Sequence, residues 1–186
     1  MILPVVKYGT PVLRQKGAQV ERLTPEIKKF IEDMFETMKE NHGVGLAAQQ
    51  VGMPMMMAVL DVEVTEERPS TMVIDGKPVD LAEWMPMVIL NPVLELGEEK
   101  VEASEGCLSF PEVTGEIVRS QSVRAKGKLL DGSAIEFEAT GLLARALQHE
   151  TDHLNGILFI DRMNSATKTA LAGRLKRLQK ETKSAD

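Results

Sequence analysis

The stretch TGLLARALQHETDHLNG, residues 140–156, decides how the rest of the chain is read. Leu142, Leu143, Ala146 and Leu147 recur at helical spacing, and Asn155-Gly156 supplies a C-cap, so the pattern predicts a helix over 141–154. That helix carries H-E-x-x-H as His149-Glu150-Thr151-Asp152-His153. Two histidines four residues apart lie one turn apart on one helical face, so both imidazoles reach a single metal ion. Glu150 stands beside them, placed to handle a proton of a water at that ion.

Working outward, Val118 to Leu130 reads as one alternating strand, and Asp131-Gly132 turns it into a second over Ala134 to Ala139. Upstream, Met55 to Leu60 is a strand, and Met87 to Leu90 and Val93 to Leu96 are short strands parted by Asn91-Pro92. The polar segment 62–86, with Pro69, Gly76, Pro78 and Pro86, reads as an inserted loop. Thr24-Pro25 opens an N-terminal helix with Ile27, Phe30, Ile31, Met34 and Met38 on one face, ending near Asn41-His42-Gly43. The glycine-rich GVGLAAQQVG that follows is expected to be a loop or a tightly packed extended segment. Downstream, Ser165 caps a last helix over 165–180, with Leu171, Leu175 and Leu178 as its apolar stripe. The expected class is α+β: mixed or antiparallel sheets packed around a central helix carrying the metal motif, with an N-terminal and a C-terminal helix. Residues 1–186 form a single domain in this reading, as the absence of repeats and linkers suggests.

Composition excludes several classes of function. Of 186 residues 27% are charged, and the net charge of −6 argues against general binding to DNA or to anionic membrane. A single cysteine forbids an internal disulfide and fits a reducing, cytoplasmic setting. No apolar run approaches the roughly 20 residues of a membrane helix, and the first residues lack the pattern of a leader. Aromatic residues make up 4% of the chain, so the eleven methionines are expected to fill the core.

A catalytic metal commonly has three protein ligands and one open position. Phe159 stands where one familiar pattern would put a third histidine, and the later carboxylates Asp161, Glu181 and Asp186 fall outside any strong helical pattern. His42 borders the glycine-rich segment. Cys107 is left, in the setting Glu105-Gly106-Cys107-Leu108-Ser109. There Gly106 permits close backbone approach, and Ser109 offers a hydroxyl to the surroundings of the ion. A thiolate with two neutral imidazoles suits Fe(II) or Zn(II).

GVGLAAQQ at 43–50, EGCLS at 105–109 and QHETDH at 148–153 resemble, in order, the three signature motifs of peptide deformylases, and the likeness extends over most of the chain through NPV at 91–93 and HLNGILFIDR. The resemblance implies a hydrolase that removes the N-formyl group from the initiator methionine of nascent peptides and releases formate. It implies Fe(II) as the native metal, with Zn, Ni or Co able to occupy the site. Carried over by position, Cys107, His149 and His153 are the ligands and Glu150 the general acid–base. Gln50 and the Leu108 N–H face the oxyanion, and the Gly45 backbone lies against substrate. Val44, beside the first motif, and Leu142 and Ala146, on the His149 face of the helix, are expected to line the methionine pocket. The basic C-terminal helix resembles the bacterial type and implies a contact with the ribosome surface. Two other readings compete on the residues alone: an H-E-x-x-H metallopeptidase cutting internal peptide bonds, and a protein with a purely structural zinc site.

Overall fold

The computed structural model describes residues 1–185; Asp186 lies outside the described residues. The central helix, α2, spans Gly141–Leu154, as the periodicity predicts. Its start is fixed from outside: the Leu142 N–H donates to the Pro69 carbonyl (3.1 Å) and the Leu143 N–H to Ser70 Oγ (2.9 Å). Gly141 has φ +67°, and a Cβ there would lie 2.0 Å from the Pro69 oxygen, so only glycine lets this junction close. The helix stops at Gly156, whose φ of +74° ends it in the left-handed region. Ten of its residues, from Leu143 to Leu154, are buried.

Around α2 runs a seven-stranded sheet of β1 (Gly45–Ala47), β2 (Met57–Leu60), β3 (Ser70–Ile74), β4 (Lys77–Val79), β5 (Met87–Leu96), β8 (Ser122–Lys128) and β9 (Ala134–Thr140), in the order β1-β2-β5-β8-β9-β3-β4. A separate hairpin is made of β6 (Lys100–Cys107) and β7 (Phe110–Ser120). Every ladder is antiparallel, which makes the fold α+β with the motif helix at its centre.

Four expectations are corrected. Segment 62–86 is not a loop throughout: β3 and β4 form a hairpin at the sheet edge, turned by Asp75-Gly76 with φ of +51° and +73°. Pro78 is tolerated because β4 is the outermost strand. The two strands parted by Asn91-Pro92 are one strand, β5, with an irregularity between Leu90 and Val93. Asn91 takes φ +52° there, and its amide exchanges two hydrogen bonds with the Val20 backbone (2.8 and 2.9 Å). The stretch from Val118 to Leu130 is divided at Gln121, which separates β7 from β8 and one sheet from the other. The last helix, α3, spans Ser165–Ser184, and its cap is Asn164 rather than Ser165: Asn164 Oδ1 accepts from the Thr167 N–H at 2.8 Å.

Three apolar clusters hold these layers. The N-terminal helix α1, Pro25–Glu40, lays Ile31, Met34 and Met38 on Leu46, Met57 and Val59. Leu143, Ala146 and Leu147 of α2 pack on Ile89, Phe137 and Met72. Leu171, Leu175 and Leu178 of α3 cover Phe110, Phe159 and Leu13. Met34, Met38, Met56, Met57, Met72, Met87 and Met163 are all buried, so methionine does fill the core.

Candidate metal centre

The α2 spacing brings the His149 and His153 rings to 5.1 Å between centroids. Cys107 reaches them from the end of β6, just before the tight turn into β7. One ligand atom from each of Cys107, His149 and His153 lies within 4.8 Å of the others, and Cys107 Sγ is 3.3 Å from His153 Nε2. His149 Nδ1 is bound to Glu105 Oε1 at 2.8 Å, which directs Nε2 inward to the same point. A thiolate and two imidazoles converging this way, with no fourth protein donor among the described residues, fit a divalent ion with an open position. Of the downstream carboxylates, Asp161 pairs with Arg14 at 2.6 Å and Glu181 stands exposed near the end of α3, while Asp186 lies outside the described residues. His42, with φ +55°, sits at the cleft rim outside the trio.

Glu105 is the functional residue that sequence reasoning missed, although it lies inside a quoted motif. It lies two residues before Cys107 in β6, where the pairing is irregular between Gly106 and Cys107, and only its contact with His149 shows that it faces α2. Its carboxylate takes two bonds from Arg119 (2.8 and 2.9 Å) and one from Arg145 (2.6 Å). Arg119 continues to Asp152 (2.7 Å), which Arg162 holds from the surface side (2.9 Å). Burial alone would raise the Glu105 pKa, but the bonds from Arg119 and His149 outweigh it and keep the group well below the usual carboxylate range. For His149, burial disfavours the cation, yet Cys107 and Glu105 lift its proton affinity to about 10. The same anionic surroundings favour a metal cation at Nε2. Burial, then the neighbouring His149, pushes His153 well below its ordinary value and keeps it neutral, as a ligand must be.

The trio backs onto a cleft of about 570 Å³. Val44, Gly45, Gln50, Cys107, Leu108, Leu142, Ala146, His149 and Glu150 all line it, so the structure gathers every candidate residue at one place, with His153 buried just behind. Glu150 is 5% exposed, and its Oε2 has no partner among the described residues. Burial raises its pKa to about 7, the range in which a carboxyl both accepts and returns a proton. Gly45 lies directly over this carboxylate: a Cβ would stand 2.8 Å from Glu150 Oε1. Gly106, in contrast, has room for a Cβ, whose nearest neighbour would be 3.6 Å away on Thr114, so close approach within the chain does not explain it.

Gln50 is 1% exposed, in a short 3-10 turn over Ala48–Val51. Its Oε1 accepts from the Ala47 N–H (3.0 Å), and its Nε2 points at Ser109 Oγ (3.3 Å) and Cys107 Sγ (3.5 Å). Ser109 is thus tied to the site through Gln50.

A third ligand supplied by a hairpin cysteine, rather than by a residue downstream of the motif, separates this site from the endopeptidase reading. Comparison with known proteins agrees. A family model described as "Polypeptide deformylase" matches residues 2–169. The chain is 42% identical over 180 residues to the peptide deformylase of Methylacidiphilum infernorum, covering 97% of this chain and 94% of that protein. It superimposes on the crystal structure of peptide deformylase from Ehrlichia chaffeensis with a TM-score of 0.79 at 33% identity, covering 95% and 96% of the two chains. The Arabidopsis thaliana peptide deformylase 1B structure, solved with an inhibitor, gives 0.83 at 30% identity over 98% and 93%. The family match over residues 2–169, with relatives alike over nearly the whole chain, places this protein within the polypeptide deformylase family.

Proposed function

We propose that this chain is a peptide deformylase that hydrolyses the N-formyl group of N-formyl-methionyl nascent peptides, with residues 1–186 acting as one catalytic unit. The observation that carries the reading is the convergence of Cys107, His149 and His153 beside a buried Glu150, whose Oε2 has no partner among the described residues, at the floor of an open cleft. Those three side chains hold the ion, with Fe(II) as the native metal and Zn, Ni or Co as substitutes. When bound, the ion supplies Lewis acidity and brings the pKa of a water toward neutrality.

The chain's own groups do the rest. Glu150 takes the proton of the attacking water at its free Oε2 and later returns it to the leaving amine. Gln50 Nε2 and the Leu108 N–H, both on the cleft wall, stabilise the oxyanion. The long contact from Nε2 to Cys107 Sγ is the one that yields when the amide turns to substrate. Val44, Leu142 and Ala146 form the apolar seat of the methionine side chain, and the Gly45 backbone borders the peptide. Glu105 locks the tautomer and ring of His149.

No described helix is long and apolar enough to cross a membrane, and we place the enzyme in the cytoplasm, where nascent chains are. Lys176, Arg177, Lys180 and Lys183 are exposed on α3, which supports docking to the phosphate-rich ribosome surface; Arg174 instead donates to the Glu112 carbonyl at 2.7 Å. The test of the main reading is formate release from formyl-Met-Ala-Ser by anaerobically prepared protein, with metal content measured on the same sample. Turnover proportional to Fe(II) is expected; a fully loaded, folded sample that releases no formate refutes the reading.

A further inference from the structure

Lys7 is a half-buried cation with no carboxylate within 4 Å among the described residues. Burial lowers its pKa, so its position costs free energy. It lines the same cleft as the metal trio, and its ammonium donates to the Leu108 carbonyl at 3.0 Å. The two residues beside it make backbone bonds to the same region. The Val6 N–H donates to the Gln50 carbonyl (2.8 Å), and the Tyr8 N–H donates to the Ser109 carbonyl (2.9 Å). Three consecutive residues therefore grip Gln50, Leu108 and Ser109, which come from two segments more than fifty positions apart in sequence. Gln50 Nε2 to Ser109 Oγ (3.3 Å) closes the circuit from inside. Tyr8 is itself fixed by stacking on Phe110, with ring centroids 4.7 Å apart.

Backbone bonds suffice to join two segments, and they need no particular side chain. The ammonium adds a charge-assisted bond to the one carbonyl in the turn that the flanking residues leave free. That carbonyl shares its peptide plane with the Ser109 N–H and is separated by one Cα from the Leu108 N–H given to the oxyanion, so fixing it restricts ψ of Leu108 and, through it, the orientation of that N–H. We propose that Lys7 is a positioning residue for the deformylation site, its ammonium holding the Leu108 carbonyl so that the Leu108 N–H and the Gln50 amide keep a common focus in the cleft. The proposal rests on the oxyanion roles given to Gln50 and Leu108 above.

Lys7→Met keeps the stem and removes the donor; Lys7→Arg restores a cationic donor of similar reach. Because displaced catalytic donors lose effectiveness steeply with distance, kcat of Lys7→Met on formyl-Met-Ala-Ser should fall about 10- to 100-fold. KM and metal content should stay within twofold of wild type, and the melting temperature should be nearly unchanged. Lys7→Arg should recover most of kcat. In 15N-labelled protein, the Leu108 and Ser109 amide resonances should shift and exchange faster with solvent in Lys7→Met and return in Lys7→Arg. Unchanged kcat in Lys7→Met overturns the proposal, as does a raised KM with kcat kept, which would make Lys7 a substrate contact. If wild type itself releases no formate, it is the deformylase reading that fails. The amide resonances then still decide whether Lys7 orders the turn: unmoved Leu108 and Ser109 signals refute that ordering.

Discussion

Replacing Glu105 by glutamine keeps the side chain's size and removes its charge, so it isolates what the buried carboxylate does. In the native chain that group takes three bonds from two arginines whose side chains are 4% and 10% exposed, and a fourth contact from His149. Losing one partner of a buried ion pair costs about 3–5 kcal/mol, because the remaining charge stays out of water uncompensated. Here the lower end applies: Arg119 keeps Asp152, and Arg145 keeps the Ile117 and Val101 carbonyls (3.0 and 2.8 Å). About 3 kcal/mol, with a urea m-value of about 1–3 kcal/mol/M, lowers the unfolding midpoint by about 1–3 M. The assay is urea unfolding of chelator-treated wild type and Glu105→Gln. The pH dependence has a definite sign. The folded pKa of Glu105 is depressed, so its contribution is complete above the ordinary value of 4.5 and is lost as pH falls through the lower folded value. The gap between the two proteins should therefore close in acid, be widest at about pH 5–6, and narrow again as pH rises above the ordinary histidine value of 6.5, because in metal-free protein His149 draws part of its raised pKa from Glu105. Metal affinity should fall about 10–100-fold, since His149 loses the partner that orients it. A midpoint within about 0.3 M of wild type, together with unchanged metal affinity, would refute the role of Glu105 in anchoring the two arginines and orienting His149.

Other perturbations test the remaining parts. Glu150→Ala should retain metal and lose about 10²–10⁴-fold in turnover, read as formate release against metal content. Cys107→Ser should bind Fe(II) far more weakly, and the wild-type Fe(II) form should lose activity in air faster than a Ni(II) form, followed by activity after timed aeration. Gly45→Ala drives a methyl to within 2.8 Å of Glu150 Oε1, so it should cut kcat strongly while thermal stability falls only modestly. Leu142→Phe should reduce kcat/KM for formyl-Met more than for a formylated small residue, since a changed methylene is worth about 1–3 kcal/mol in such a pocket. Reversing the charges of Lys176, Arg177 and Lys180 should weaken co-sedimentation with ribosomes at low salt and leave hydrolysis of short peptides intact.

The elements legible in the sequence are those whose signals are local. α2 and α1 have strong apolar periodicity with a cap or a stop at each end, and both helices begin and end where that pattern predicts. The errors fall where tertiary context decides. Asn91-Pro92 looks like a break, yet β5 continues because the Asn91 amide replaces the missing ladder bonds by binding Val20, a partner 71 positions away. Gln121 looks like part of one alternating strand, and only the separation of the β6–β7 hairpin from the main sheet shows that the chain changes sheets there. Asp75-Gly76 carried the same turn signal as Asp131-Gly132, but the polar residues and prolines around it concealed a hairpin whose outer strand is an edge.

The site divides along the same line. His149, Glu150 and His153 are legible because a helix fixes their relation within five residues, and Cys107, Gln50 and Gly45 because motif resemblance supplied what spacing could not. What no local pattern reveals is the support behind them. Glu105 orients a ligand 44 positions later, Arg119 joins that carboxylate to α2 through Asp152, and Lys7 reaches Leu108 across 101 positions. These contacts depend on where β6, β7 and the N-terminal segment cross α2, and that crossing is set by burial of Phe110, Phe159 and Leu13 under α3. The covering helix is amphipathic but has no buried residue of its own. Its role is to close an apolar cluster that includes Phe159, whose ring lies 5.9 Å from that of His149. The metal trio is thus held from two sides by different physics: a charged network from β6 and β7 that fixes ring orientation, and an aromatic stack under α3 that fixes the distance of the hairpin from α2. Loss of the first should loosen metal binding in a protein that still folds, whereas loss of the second should separate Cys107 from the two histidines altogether.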